Sequence, residues 1–158
     1  MHISLSRMVG MPVVLEDQQV GYVERAVMDA RCRMLDGMVV RRGIGAAKWV
    51  SCGEIALLGR DCVVLKSRPV RLTVRDQPSP CRVFLSAGAY AGEVTDAFVS
   101  SRGLRISALE VCQGPLYRLV GQRSYAPHFC VQEDGGVVAQ TLLSWAQLVK
   151  QLGEEDDG

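Results

Sequence analysis

Residues 20–29, VGYVERAVMD, and residues 91–100, AGEVTDAFVS, decide the fold of this 158-residue chain. Displaced by 71 positions, they set Gly21 on Gly92, Val23 on Val94 and Ala26 on Ala97. Where identity is lost the apolar character stays, with Val27 on Phe98 and Met28 on Val99. The register runs without a gap from Val13 to Val40 and adds Arg31 on Arg102, Leu35 on Ile106, Met38 on Leu109 and Val40 on Val111, with Val13 falling on Phe84. Farther on, a shift of about three sets residues 60–64 against 134–138, as an insertion between Gln113 and Gln122 would produce. Similarity at a fixed period marks a duplicated structural unit, so the chain reads as two copies of one small unit.

Each unit reads as β. Short apolar runs rich in β-branched residues, 12–15, 21–29, 34–41, 48–51 and 62–66, are bounded by turn residues, which is the pattern of strands. Val23, Ala26, Val27 and Met28 break strict alternation, so one bulge or burial on both faces is expected there. Turns fall at 16–19, 30–33 and 42–47. Pro69, Pro78 and Pro80 place the covalent linker near 76–80, and Val70, Leu72 and Val74 alternate with charges as an edge strand would. After Gln140 the period changes to about 3.6: Leu142, Trp145, Leu148, Val149 and Leu152 line one helical face, Gly153 ends it, and 154–157 form a solvated acidic tail. The expected fold class is therefore mainly β, two tandem small β-barrels with a C-terminal amphipathic helix. The units span 1–76 and 81–140, with helix and tail at 141–158. The apolar helix face is expected to pack on the second barrel, because two small cores are short of cover.

Composition narrows the function classes. With 48% hydrophobic and 22% charged residues the chain is not disordered. The longest run without strongly polar groups, residues 8–15, is far short of the roughly 20 needed for a membrane-spanning helix. The N-terminus lacks a basic segment followed by a long apolar stretch, so a cytoplasmic address is expected. Residues 1–75 carry 12 Lys and Arg against 7 Asp and Glu, while 76–158 carry 6 against 10, a split that suits contact between the halves or a basic face for an acidic partner. The six cysteines show no CxxC spacing and read as free thiols, with Cys62 and Cys112 in apolar strands and Cys32 in a turn.

The stretches already quoted resemble the PRC-barrel family, the small β-barrel shared by the photosynthetic reaction-centre H subunit and the ribosome-maturation factor RimM. The resemblance covers the opening at 6–14 with Gly10 and Pro12, then VGYVERAVMD, the return strand LDGMVVRRG at 35–43 and the closing WVSCGEIALLGRDCVVL at 49–65. The second copy departs from it: Ser100 stands where the first copy has Asp29, and the Gly10 and Pro12 opening has no equivalent. The resemblance implies an adaptor that docks proteins, with no shared catalytic residues.

No motif for chemistry competes with that reading. GIGAAK at 43–48 lacks the P-loop spacing and precedes a strand, so it is a hairpin loop. His128 and Cys130 are too isolated to suggest a catalytic dyad, and two histidines with scattered carboxylates make no metal cluster. No catalytic, cofactor-binding or metal-binding residue is expected. The candidate partner-binding residues are Arg41, Arg42 and Lys48, cations flanking the glycine loop, where they can steer an acidic partner. The expected function is a non-catalytic cytoplasmic adaptor or scaffold docking a protein partner or a second copy of itself. Two alternatives stand beside it: an RNA- or ribosome-associated module using the same basic loop, and a small-molecule-binding protein or enzyme with a site between the barrels.

Overall fold

The structure, a computed structural model, describes residues 1–73 and 81–157, with Arg118 described by its backbone alone. The linker expected near 76–80 lies outside the described residues, as does Val74. The first unit contains β2 (Pro12–Leu15), β3 (Gln18–Met28), β4 (Leu35–Arg41), β5 (Lys48–Ser51), β6 (Ile55–Leu58), β7 (Val63–Leu65) and β8 (Val70–Arg71). The second contains β9 (Arg82–Leu85), β10 (Tyr90–Ser100), β11 (Ile106–Cys112), β12 (Ser124–Ala126), β13 (Phe129–Val131) and β14 (Val137–Ala139). Strand β1 (His2–Ser4) and helix α1 (Leu5–Met8) precede them, α2 (Pro115–Leu119) interrupts the second unit, and α3 (Trp145–Asp157) closes the chain.

The two sheets repeat one topology. The order β6-β7-β2-β3-β4-β5 in the first is matched by β13-β14-β9-β10-β11-β12 in the second, each curling so that a parallel pair, β2 with β7 or β9 with β14, joins its first and last hairpins. The second unit therefore has a counterpart for each of the six strands, and α2 is the insertion between Gln113 and Gln122. The first sheet adds β8 at the edge of β5, the edge strand expected from Val70.

Duplication shows most clearly at two glycines. Gly21 pairs with Val13 and Gly92 with Val83, both at positive φ, and a Cβ on either would run into the backbone of the next strand, Arg41 or Cys112. Glycine is needed where chains approach this closely. The pairing corrects the register by one residue at its start: the counterpart of the fully buried Val13 is the equally buried Val83, while Phe84 faces outward. The turn between β9 and β10 holds the extra residue. Strand β3 carries two register shifts rather than one bulge.

The units are joined as related halves. Met34 bridges Arg105, and these are equivalent positions in the 71-residue register. Leu35 N donates to Leu104 O (2.9 Å), and Ile106 N donates to Arg33 O (2.8 Å), the same bond repeated with the copies exchanged. The β3–β4 and β10–β11 hairpins thus meet tip to tip about a pseudo-two-fold axis, as in an isologous dimer. Their cores interlock: Val99 of the second copy is buried in the first core, while its equivalent Met28 packs on the second. Cys32, with φ +53° at its hairpin tip, is buried in the second core, so the turn position read from sequence does not make it exposed. Cys62 precedes β7 and is only half-buried, contrary to its expected place in a strand.

The N-terminal strand crosses over as well. β1 pairs with β10, placing residues 2–4 on the second sheet although they belong to the first unit's stretch of chain. Helix α1, capped by Ser4, drives Met8 into the first core, and Ser6 holds the Asp96 carboxylate through its N–H and hydroxyl (3.2 and 2.5 Å).

Helix α3 packs on the second unit as expected, through Leu148 and Leu152 against Ala108 and Tyr125. Gly153 does not end it: the helix runs to Asp157, and Asp156 meets the Met1 ammonium (3.1 Å) and His2 Nε2 (3.2 Å). These partners give the acidic end a structural role in place of a solvated tail. Leu142 lies before the helix, while Trp145 and Val149 are half exposed. No helix among the described residues is long and apolar enough to cross a membrane.

Candidate functional site

The three candidate cations lie at one end of the first barrel. Arg41 ends β4, Lys48 opens β5 opposite Val40, and the loop between them turns on Gly43 (φ +55°) and the Gly45 N–H donated to Arg42 O (3.0 Å). The structure then separates them. Arg41 Nε donates to Glu24 Oε1 (3.0 Å), and its Nη1 donates to Gly45 O (2.9 Å), so this guanidinium is neutralised and braces the loop. Arg42 and Lys48 carry no ion pair among the described residues, and they line a cleft of about 740 Å³ together with Arg68.

Arg68 is the cation sequence reasoning missed. It reaches the cleft because β8 folds back on β5, pairing Arg71 with Lys48 and Val70 with Trp49. The alternation at Val70 signals a strand, but no local pattern tells which strand it joins. Glu16, in the hairpin turn at φ +49°, is the one carboxylate among the described lining residues. Ile44, on the loop between Arg42 and Lys48, is fully exposed. The mouth thus offers three cations and one anion, with a bare aliphatic side chain on the loop beside it, a surface complementary to a chain carrying carboxylates beside an apolar residue.

A second cleft, about 660 Å³, lies where β1 and α1 meet the second sheet. It contains the one buried acid among the described residues, Glu110, which accepts from Thr95 Oγ1 (2.8 Å) and faces Arg123 Nη1 at 3.6 Å. Beside it Phe98, Tyr125 and Trp145 meet in edge-to-face and tilted contacts with centroids 5.4–5.9 Å apart. Burial, then the Glu110 charge, pushes the Tyr125 phenol up. With its carboxylate satisfied on both sides and its rings filled by one another, this cluster has the character of a structural network.

The thiols follow burial. All six cysteines are free, and Cys32, buried against Cys81, has its pKa pushed up to about 11 by desolvation and then by that neighbouring thiol. His128 Nε2 meets Gln151 Nε2 of α3 at 3.3 Å, and among the described residues no hydrogen bond joins it to Cys130. No group of three or more potential metal ligands occurs among the described residues. Comparison with known protein families and with curated proteins finds no match to this chain.

Proposed function

We propose that this protein is a non-catalytic adaptor that docks an acidic segment of a protein partner at the mouth of its first barrel. The observation that carries the reading is the convergence of Arg42 and Lys48, from the β4–β5 loop, and Arg68, from the approach to β8, on one cleft beside the exposed Ile44, none of them neutralised by an ion pair among the described residues. Unpaired cations at a rim raise encounter rates with acidic surfaces, and an adjacent apolar side chain supplies the contact that holds the complex. The resemblance to the PRC-barrel, carried by residues 6–66, points to the same class of role, and the cytoplasmic address belongs to the same proposal.

Capture from native cell extract tests it, with and without RNase. The expected result is a discrete protein retained by wild type and lost by the triple variant R42S/K48S/R68S. Capture that disappears on RNase treatment would move the function to nucleic acid. Equal capture by the triple variant would remove the mouth from the account.

A further inference from the structure

The tip-to-tip contact of the two hairpins creates a second basic site, at the opposite end of the first barrel from the mouth. Arg31 and Arg33 come from the β3–β4 turn and Arg105 from the β10–β11 turn. The Met34–Arg105 bridge and the Ile106 N–H bond to Arg33 O fix their backbones side by side. All three line a cleft of about 730 Å³ that continues over the second barrel to His128 and Phe129, and no carboxylate is among the described residues that line it. Among the described residues none of the three arginines forms an ion pair. Within the same turn the Asp29 carboxylate accepts from the Arg33 and Met34 N–H groups (2.8 and 3.4 Å).

Three exposed arginines on one cleft, none held in an ion pair among the described residues, present positive charge and planar donors to an anion. The pseudo-two-fold axis sharpens the point. The positions equivalent to Arg33 and Arg105 are Leu104 and Met34, while Arg31 falls on Arg102, so two of the three arginines are peculiar to this side of the axis.

We propose that this inter-barrel cleft binds a small ligand carrying a diphosphate, a nucleoside diphosphate being the class that fits. Its roughly three negative charges match the three arginines, whose planar donors bind phosphoryl oxygens in pairs. Phe129 and the exposed Met34 offer apolar wall to the rest of the ligand. This site is separate from the docking mouth, and neither depends on the other.

Isothermal titration with ADP, inorganic pyrophosphate, adenosine and a short single-stranded RNA tests the proposal on the full chain. ADP and pyrophosphate should bind and adenosine should not, with affinity falling as salt rises. The double variant R33S/R105S should weaken ADP at least about tenfold. Arg105→Met, which installs the residue already tolerated at the equivalent position, should weaken it while leaving the unliganded unfolding temperature unchanged. R42S/K48S/R68S should bind ADP as wild type does. ADP affinity unchanged by both arginine variants would overturn the proposal, as would no response to either phosphate probe at millimolar concentration. Binding of RNA without ADP or pyrophosphate would also overturn it, in favour of a nucleic-acid surface.

Discussion

Gly92 is the position at which a single methyl group should do most damage. Its φ of +137° is one that residues with a Cβ rarely adopt, and the added carbon would overlap the Cys112 carbonyl oxygen and stand 2.6 Å from its carbon. The backbone conformation alone costs a non-glycine residue about 1–3 kcal/mol. Relief of the overlap requires β10 to part from β11 next to the Glu93–Cys112 and Val94–Val111 pairs. That sacrifices one or two ladder hydrogen bonds at about 0.5–1.5 kcal/mol each. Gly92→Ala should therefore cost about 2–6 kcal/mol in all. Urea unfolding followed by Trp49 and Trp145 fluorescence reads this directly, and with a slope of about 2 kcal/mol/M the midpoint should fall by roughly 1–3 M. Two controls separate the causes. Gly103 also has a positive φ (+73°), but nothing lies within 4 Å of its Cβ position, so Gly103→Ala should cost only about 1–2 kcal/mol. Gly153 lies within α3 in open space, so Gly153→Ala should stabilise by about 0.5–1 kcal/mol. A Gly92→Ala protein no less stable than Gly103→Ala would refute the close approach of β10 and β11, and with it the shared glycine that marks the duplication.

Leu148 is fully buried, so Leu148→Ala should cost about 2–5 kcal/mol and lower the helical circular dichroism signal as α3 releases the second sheet. The Cys32 thiol is raised to about 11, which means the folded state holds its proton where the unfolded state has lost it; stability should fall as pH rises from 9 to 11, and more steeply in wild type than in Cys32→Ala. The carboxyl of Asp156 is held below its ordinary range by the Met1 ammonium and by His2, so its contribution is present above the unfolded value and lost as pH falls through the lowered one. Amide exchange at Leu152 should accelerate in that acid window in wild type and show no such step in Asp156→Asn.

The repeat was legible because it is written in residues that cannot be exchanged: Gly21 and Gly92 sit where a Cβ collides with the neighbouring strand. Strands β2 and β5 were legible to the residue, since β-branched runs end at sharp turns. Side-chain identity misled at Val13, where matching apolar to apolar selected Phe84; the period of two makes a one-residue slip reverse the face, and only the pairing of Val83 with Gly92 resolves it. Cys32 looked exposed because its turn is covered not by its own unit but by the other copy, a contact that leaves no local pattern. The same holds for Arg68 and for the inter-barrel arginines, which converge through strand pairings distant in sequence. The pairing of Arg41 with Glu24 joins two residues the sequence does show, but their contact depends on the register of β3 against β4.

The docking reading is tested most directly by site-specific photo-crosslinking in the native cell, with a photoreactive aromatic amino acid replacing Ile44 at the rim of the mouth. The account predicts one discrete protein adduct that resists RNase, disappears when Arg42, Lys48 and Arg68 are changed to Ser, and is absent when the probe is placed at the half-exposed Leu57 on β6. An adduct digested by RNase, the same adduct from both probe positions, or one undiminished by the triple variant would contradict it.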